Sequence, residues 1–415
     1  MPRPVELSPG SFVHTFWPGR VVFGAGALER VGDEVAALGV RRVLIVATNA
    51  ARAAADAVQL QLGDRFAGRI DGVTQHVPAE LADAARTNAR DLAADAVVAI
   101  GGGSAIGLAK AIARTSTTAG PASASGPGSA AGTRSPADAG GAGAVGGAGG
   151  AGAVGGTGAA DGAPGAGAAG GVVVVAVPTT YAGSEMTPVW GETAGGSKTT
   201  GVDPRVLPRV VVYDPVLTQQ LPLKVTAASV ANAIAHCVEA VWTPKADPIT
   251  EMVAVEGLRA LSTGLRAVLA EPDDLDARGK LLYGACLAGS ALATAGTGLH
   301  HKLCHLLGGT YGLPHAETHA AVLPQVTRIN APAVPESAAR LSAALGGSMA
   351  ADALAGQLFD LFETAGVAVK LRDLGLTEEQ ADAAAAGFDV AGNPVAVGKN
   401  EIRDILRRAL DGVRP

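Results

Sequence analysis

The sequence predicts an α/β N-terminal dinucleotide-binding domain followed by an all-α C-terminal domain, and three observations carry that reading. Short β-branched runs alternate with helical stretches up to about residue 216, and small-residue loops follow two of those runs. From about residue 217 the apolar spacing is helical throughout. Alternating strands and helices argue for a parallel sheet covered by helices on both faces. A chain of 415 residues also exceeds the roughly 250–300 residues at which single cores stop growing. The expected division is 1–216 and 217–415.

RRVLIVAT (41–48) reads as a buried strand, and AARAAADAVQLQLGD opens the helix after it. DAVVAIGGGSAIGLAKAIAR (95–114) reads as strand, glycine turn and helix, while VVVVAVPTTYAGSE (172–185) and PRVVVYDP (208–215) supply two further strands. Between them, residues 116–171 hold 20 of the 57 glycines, no aromatic residue, and Arg134, Asp138 and Asp161 as the only charges. Such a tract buries too little apolar surface to offset ordering its backbone, so it is expected to be a disordered insertion. It interrupts a helix-to-strand connection that ordinarily takes about 2–6 residues, and loop closure tolerates the extra length.

Ligands of open parallel sheets bind beyond the strands' carboxyl ends. Gly101, Gly102, Gly103 and Ser104 sit at such an end and open a helix, where glycine lets the backbone approach a pyrophosphate and helix amides supply donors. Thr179, Thr180 and Ser184 follow another strand at the same edge. The spacing is not G-x-G-x-x-G, so the dinucleotide fingerprint as such is absent. The strand at 41–48 ends in Thr48 and Asn49 rather than in a carboxylate. No negative charge there repels a 2′-phosphate, so NADPH is expected to be accepted as well as NADH.

The C-terminal half carries the polar constellation. Five of the eight histidines fall in HHKLCHLLGGTYGLPHAETH (300–319). Asn232 and His236 are four apart on one helical face, as are His301 and His305, and His315 begins a further helix. HAETH matches neither H-E-x-x-H nor H-x-x-E-H, which rejects a zinc-protease reading. His236, His301 and His315 could form an all-nitrogen metal site, with Asn232 as a poor fourth partner for a divalent cation. Taken singly, His300 and His319 read as fold residues, and Lys198 and Lys302 as solvated charges.

A net charge of −6 gives no basic stripe for nucleic acid. Cys237, Cys286 and Cys304 are odd in number and lack a C-x-x-C pair, which fits a reducing, cytoplasmic setting without disulfides. Neither a signal peptide nor a membrane span is expected.

GGGSAIGLAKAIA, PTTYAGSEMTP, ANAIAHCVEA, HHKLCHLLGGTYGLPHAETHAAVLP and the terminal GNP…EIRDILRRAL together resemble the iron-containing alcohol dehydrogenase superfamily, of dehydroquinate synthase-like fold. Within it they look like the maleylacetate reductases, and the likeness spans the chain except residues 116–171. The superfamily's metal ligands, carried over, fall on Asn232, His236, His301 and His315. The first has lost its carboxylate, and His315 is followed by Ala316-Glu317 where metal-dependent relatives have glycine. The resemblance therefore implies metal-independent NADH- or NADPH-dependent reduction of the C=C bond of maleylacetate, or of a chlorinated analogue, by a homodimer. His236, His301, His305 and His315 would be catalytic, and Asn232 and Tyr181 would contact substrate. Thr48, Asn49, the 101–104 turn, Thr179, Thr180, Ser184 and Lys198 would hold the cofactor. The rival is a metal-dependent alcohol or polyol dehydrogenase of the same fold.

Overall fold

The computed structural model describes residues 12–17, 19–73, 77–115, 171–194, 197–388 and 391–415. The predicted insertion lies outside them except for Gly171. Six parallel strands form the main sheet in the order β1-β8-β5-β4-β2-β3. They are β1 Arg20–Phe23, β2 Val43–Ala47, β3 Phe66–Ile70, β4 Ala96–Gly101, β5 Val173–Pro178 and β8 Val210–Tyr213. The central strands are almost continuous Val, Ile and Ala, as burial on both faces requires. Every residue of β2, β4 and β8 is buried. Register is fixed by pairs such as Val46↔Ala99 and Ala99↔Ala176. An antiparallel hairpin, β6 Val189–Ala194 and β7 Ser197–Val202, forms a second sheet beside it. The strand predictions at 41–48, 95–101, 172–178 and 208–215 correspond to β2, β4, β5 and β8, whereas β1, β3 and the hairpin were not legible.

Helices α1 Val31–Ala37, α2 Arg52–Leu62, α3 Ala79–Asp91 and α4 Gly103–Thr115 complete the crossovers. One apolar cluster lies between the sheet and α1 and α2. The larger one runs from the other face, under α3 and α4, into the helical half.

That half begins with α5 Leu223–Ala240, α6 Pro248–Ala270 and α7 Leu275–Ala295. Asp247 caps α6, accepting from the Ile249 and Thr250 amides at 2.9 Å each, with Pro248 in the first turn. This satisfies donors that a helix start otherwise leaves open. α8 Leu299–Tyr311 and α9 His315–Asn330 follow, then α10 Pro335–Ala344, α11 Leu354–Thr364, α12 Glu378–Ala386 and α13 Lys399–Asp411. No single described helix is long and apolar enough to cross a membrane.

The two halves meet closely where the loop after β5 touches α7. Gly183 has φ +77°, and a Cβ on Gly289 would stand 2.1 Å from the Gly183 carbonyl oxygen. Only two glycines allow that approach. Lys110 of α4, fully buried, donates to the carbonyls of Ser184, Thr187 and Val189 at 2.7–2.8 Å and ties this loop to the helix. Burial pulls its ammonium down to about 7.

Candidate active site

β2 and β4 are neighbours whose crossovers leave in opposite directions, toward β3 and toward β5. Their carboxyl ends therefore form a topological switch point, where a crevice opens. Gly101 has φ +147°, and a Cβ there would stand 2.7 Å from Thr48 Cγ2; one on Gly102 would stand 3.0 Å from Thr180 Cγ2. The Thr179 amide donates to the Gly101 carbonyl at 3.1 Å. Thr48, Gly101, Gly102, Gly103, Thr180 and Ser184 thus line one edge, with the Ser184 hydroxyl buried and without a hydrogen-bond partner. Asn49 is exposed beside Arg52, whose Nη2 lies 3.5 Å from its amide oxygen.

One of the predicted contacts sits differently. Tyr181, expected to touch substrate, is wholly buried in the larger apolar cluster, and its hydroxyl accepts from Arg278 at 3.2 Å. Its aromatic bulk follows a strand end and is claimed by the interdomain core, which leaves it no open face. The Lys198 backbone pairs with Thr193 in the hairpin, but its side chain lies outside the description. Lys302 is exposed.

The histidines converge as a connected set from three helices. α5 brings Asn232 and His236; α8 brings His300, His301 and His305; α9 brings His315 and His319. His236 stacks on His301 with ring centroids 5.0 Å apart, and His305 stacks on His315 at 5.9 Å. His319 lies against His301 at 4.7 Å, His300 at 4.8 Å and His315 at 4.4 Å. His300 and His319 are therefore inside the cluster, wholly buried against the other rings. Helical spacing did carry the signal, because His315 and His319 are four apart on one face.

Glu239, one turn after His236, is the residue the sequence reading missed. It is 1% exposed. One carboxylate oxygen lies 2.5 Å from His301 Nδ1, and the other accepts the His300 backbone amide at 2.7 Å. Asn232 Oδ1, His236 Nδ1, His300 Nδ1, His301 Nε2 and both ring nitrogens of His319 are buried without a hydrogen-bond partner. Burial holds these four imidazoles neutral: it pulls His300 and His301 down to about 3, and His236 and His319 well below the usual histidine range. His305 and His315 are half-buried at the rim.

This donor set can be weighed against a metal. His300, His301 and His319 each bring one ring nitrogen within 4.8 Å of the others. Glu239 is a carboxylate in contact with the cluster, but its two oxygens are already taken by His301 Nδ1 and the His300 amide. An amide oxygen and neutral imidazoles lack the anionic ligand that a hard or borderline divalent cation such as Fe²⁺ favours. The residues do not fit a carboxylate-anchored iron site.

A parallel nucleotide-type sheet joined to a helical domain with this cluster is the architecture of the iron-containing alcohol dehydrogenase fold. The iron-containing alcohol dehydrogenase model matches residues 18–140, and the C-terminal model of the same family matches residues 226–410. The chain is 40% identical over 407 residues to a maleylacetate reductase of Sphingobium indicum, covering 97% of this chain and 99% of that one. It is 41% identical over 408 residues to maleylacetate reductase 2 of Cupriavidus pinatubonensis, covering 97% and 98%. The crystal structure of maleylacetate reductase from Agrobacterium tumefaciens superposes with a TM-score of 0.80 at 36% identity, covering 98% and 99%. A 1,3-propanediol oxidoreductase does so with 0.78 at 26%, covering 96% and 100%. The chain belongs to the iron-containing alcohol dehydrogenase family and, within it, to the maleylacetate reductases.

Proposed function

We propose that the protein uses NADH or NADPH to reduce the C=C bond of maleylacetate to 3-oxoadipate without a metal. The observation that carries this reading is a neutral histidine cluster with Asn232 one helical turn before His236, at full-length kinship with maleylacetate reductases. The substrate's alkene is conjugated to a ketone. Hydride from the nicotinamide adds to the alkene carbon remote from the ketone, the electrons move onto the ketone oxygen as an enolate, and a proton then joins the neighbouring carbon.

Positioned donors can meet that oxygen in place of a Lewis acid. Whichever tautomer His319 adopts, one of its unpartnered nitrogens carries a proton, and His236 lies one ring further along. His301 is neutral in the free site, but a bound dicarboxylate favours its charged form, with Glu239 behind Nδ1. Nε2–H then faces the developing enolate. His305 and His315, half-exposed, are placed to pass the proton that reaches carbon. The uncapped start of α9 at His315 favours a substrate carboxylate through the helix dipole. Thr48, Asn49, Gly101, Gly102, Gly103, Ser104, Thr179, Thr180 and Ser184 would hold the dinucleotide, and Arg52 beside Asn49 supports acceptance of a 2′-phosphate.

A homodimer is supported by exposed apolar side chains on the edge strand β1 and in the segment before it: Phe12, Val13, Phe16, Val21 and Phe23 are 43–76% exposed. Three free cysteines support a cytoplasmic setting.

The test follows NADH absorbance with maleylacetate, beside an alcohol with NAD⁺. Enone-dependent NADH loss is expected, undiminished by chelator and with no stoichiometric metal by elemental analysis. Activity confined to the alcohol, or abolished by chelation, would overturn the reading.

A further inference from the structure

The geometry points to Glu239 as a positioning residue that assigns the two nitrogens of His301 their separate tasks. This inference rests on the reading of the histidine cluster as the reducing site. The carboxylate stands on α5, three residues after His236, and is sealed from solvent at 1% exposure. Its two oxygens hold two groups of α8's first turn at once: the His301 ring at Nδ1, 2.5 Å away, and the His300 amide at 2.7 Å. A carboxylate only accepts, so the Nδ1 position must carry the proton. Nε2 is then the nitrogen left without a partner, on a ring that stacks on His236 and meets His319 edge-on.

Gly298 makes room for this arrangement. It precedes α8 with φ −117° and ψ −147°, outside the helical and ordinary extended regions. A Cβ there would stand 2.9 Å from Glu239 Oε1 and 3.2 Å from its Cδ. The carboxylate therefore leaves no room for a side chain at this position.

An amide cannot repeat the contact. Glutamine has one accepting oxygen and one donating nitrogen. Presenting oxygen to the His300 amide puts its NH₂ against Nδ1, which must then give up its proton. His301 would become an Nε2–H tautomer with Nδ1 accepting. Presenting oxygen to His301 instead sets NH₂ against the His300 N–H at the start of α8. The first outcome keeps every partner satisfied and reverses the ring's polarity inside the site.

The experiment compares wild type, Glu239→Gln and Gly298→Ala, using selective ¹⁵N-histidine NMR on the full chain and steady-state kinetics. Wild type should show His301 protonated at Nδ1, and Glu239→Gln should show it protonated at Nε2. The Glu239→Gln variant should lose about 10²-fold in kcat, the scale of a mis-set acid–base group, with KM for NADH within about twofold. Gly298→Ala, which displaces the carboxylate without changing its charge, should lose kcat by about tenfold with the same unchanged KM. An unaltered tautomer with kcat within about threefold of wild type in folded Glu239→Gln overturns the inference. Should Glu239→Gln not fold, the same pair of results in Gly298→Ala overturns it. The NMR signal needs no substrate, so it separates this failure from a failure of the maleylacetate reading, which shows as wild-type inactivity on that substrate.

Discussion

At the scale of single residues, Asn232 decides what the histidines can do. Its amide oxygen is buried without a partner, one helical turn before His236, whose imidazole burial keeps neutral. Asn232→Asp restores one negative charge to that set, and the site then gains the anionic donor a divalent cation favours. We expect the variant to retain zinc or iron at near one per chain after dialysis where wild type does not, with reductase turnover falling. Equal metal content in both proteins would show that the carboxylate is not what separates them. His301→Ala removes the ring proposed to meet the enolate and should lower kcat by about 10²-fold while NADH binding, followed by fluorescence, is unchanged. An undiminished kcat would take His301 out of the chemistry. Asn232 with His236 and His301 with His305 were legible because each pair sits at helical spacing, and His315 because it opens the next helix. The Glu239–His301 contact was not, because its partners are 62 residues apart on different helices. The His236-x-x-Glu239 spacing was the one local hint.

At the scale of elements, the cofactor edge depends on how α4 and the loop after β5 are held together. Lys110 donates to three backbone carbonyls and to the Thr187 hydroxyl of that loop. Lys110→Met keeps most of the stem but strands buried acceptors, each costing roughly 1–3 kcal/mol. A loss on the order of 3 kcal/mol in urea unfolding is expected, with KM for NADH raised more than kcat is lowered. A KM equal to wild type would mean that the loop holds its shape without the lysine. The strands on either side of this loop were readable as β-branched runs. β1 is four residues at the sheet edge, and β3 reads FAGRI with glycine and arginine inside it. Their pairing partners, rather than their own composition, make them strands. The same limit hid Tyr181: a hydroxyl in a strand-end loop looks available until the fold places α7 and Arg278 over it.

At the scale of the whole molecule, the cluster ties stability to pH. His236, His300, His301 and His319 are all held below the ordinary histidine range, with desolvation the leading cause and neighbouring imidazoles adding to it for all but His301. In the unfolded chain each takes up a proton as pH falls through about 6.5. In the folded protein His300 and His301 do so only near 3. Between those limits the unfolded state binds more protons, so stability falls as pH falls. Each such histidine contributes a slope of at most about 1.4 kcal/mol per pH unit, and four acting together at most about 5. The urea midpoint is therefore expected to drop steeply from pH 6.5 toward pH 4 and to be flat in this respect above pH 7.5. His300→Asn, which removes one of the four protons, should make the drop shallower by about one quarter. A midpoint that does not move between pH 7 and pH 5 would mean that the folded cluster binds protons as readily as the unfolded chain. Bound substrate tests the same balance from the other side. A dicarboxylate that draws a proton onto His301 should bind more weakly as pH rises, while the protein itself becomes more stable. Opposite pH trends for affinity and for stability are the signature of a site that is neutral when empty and charged in use.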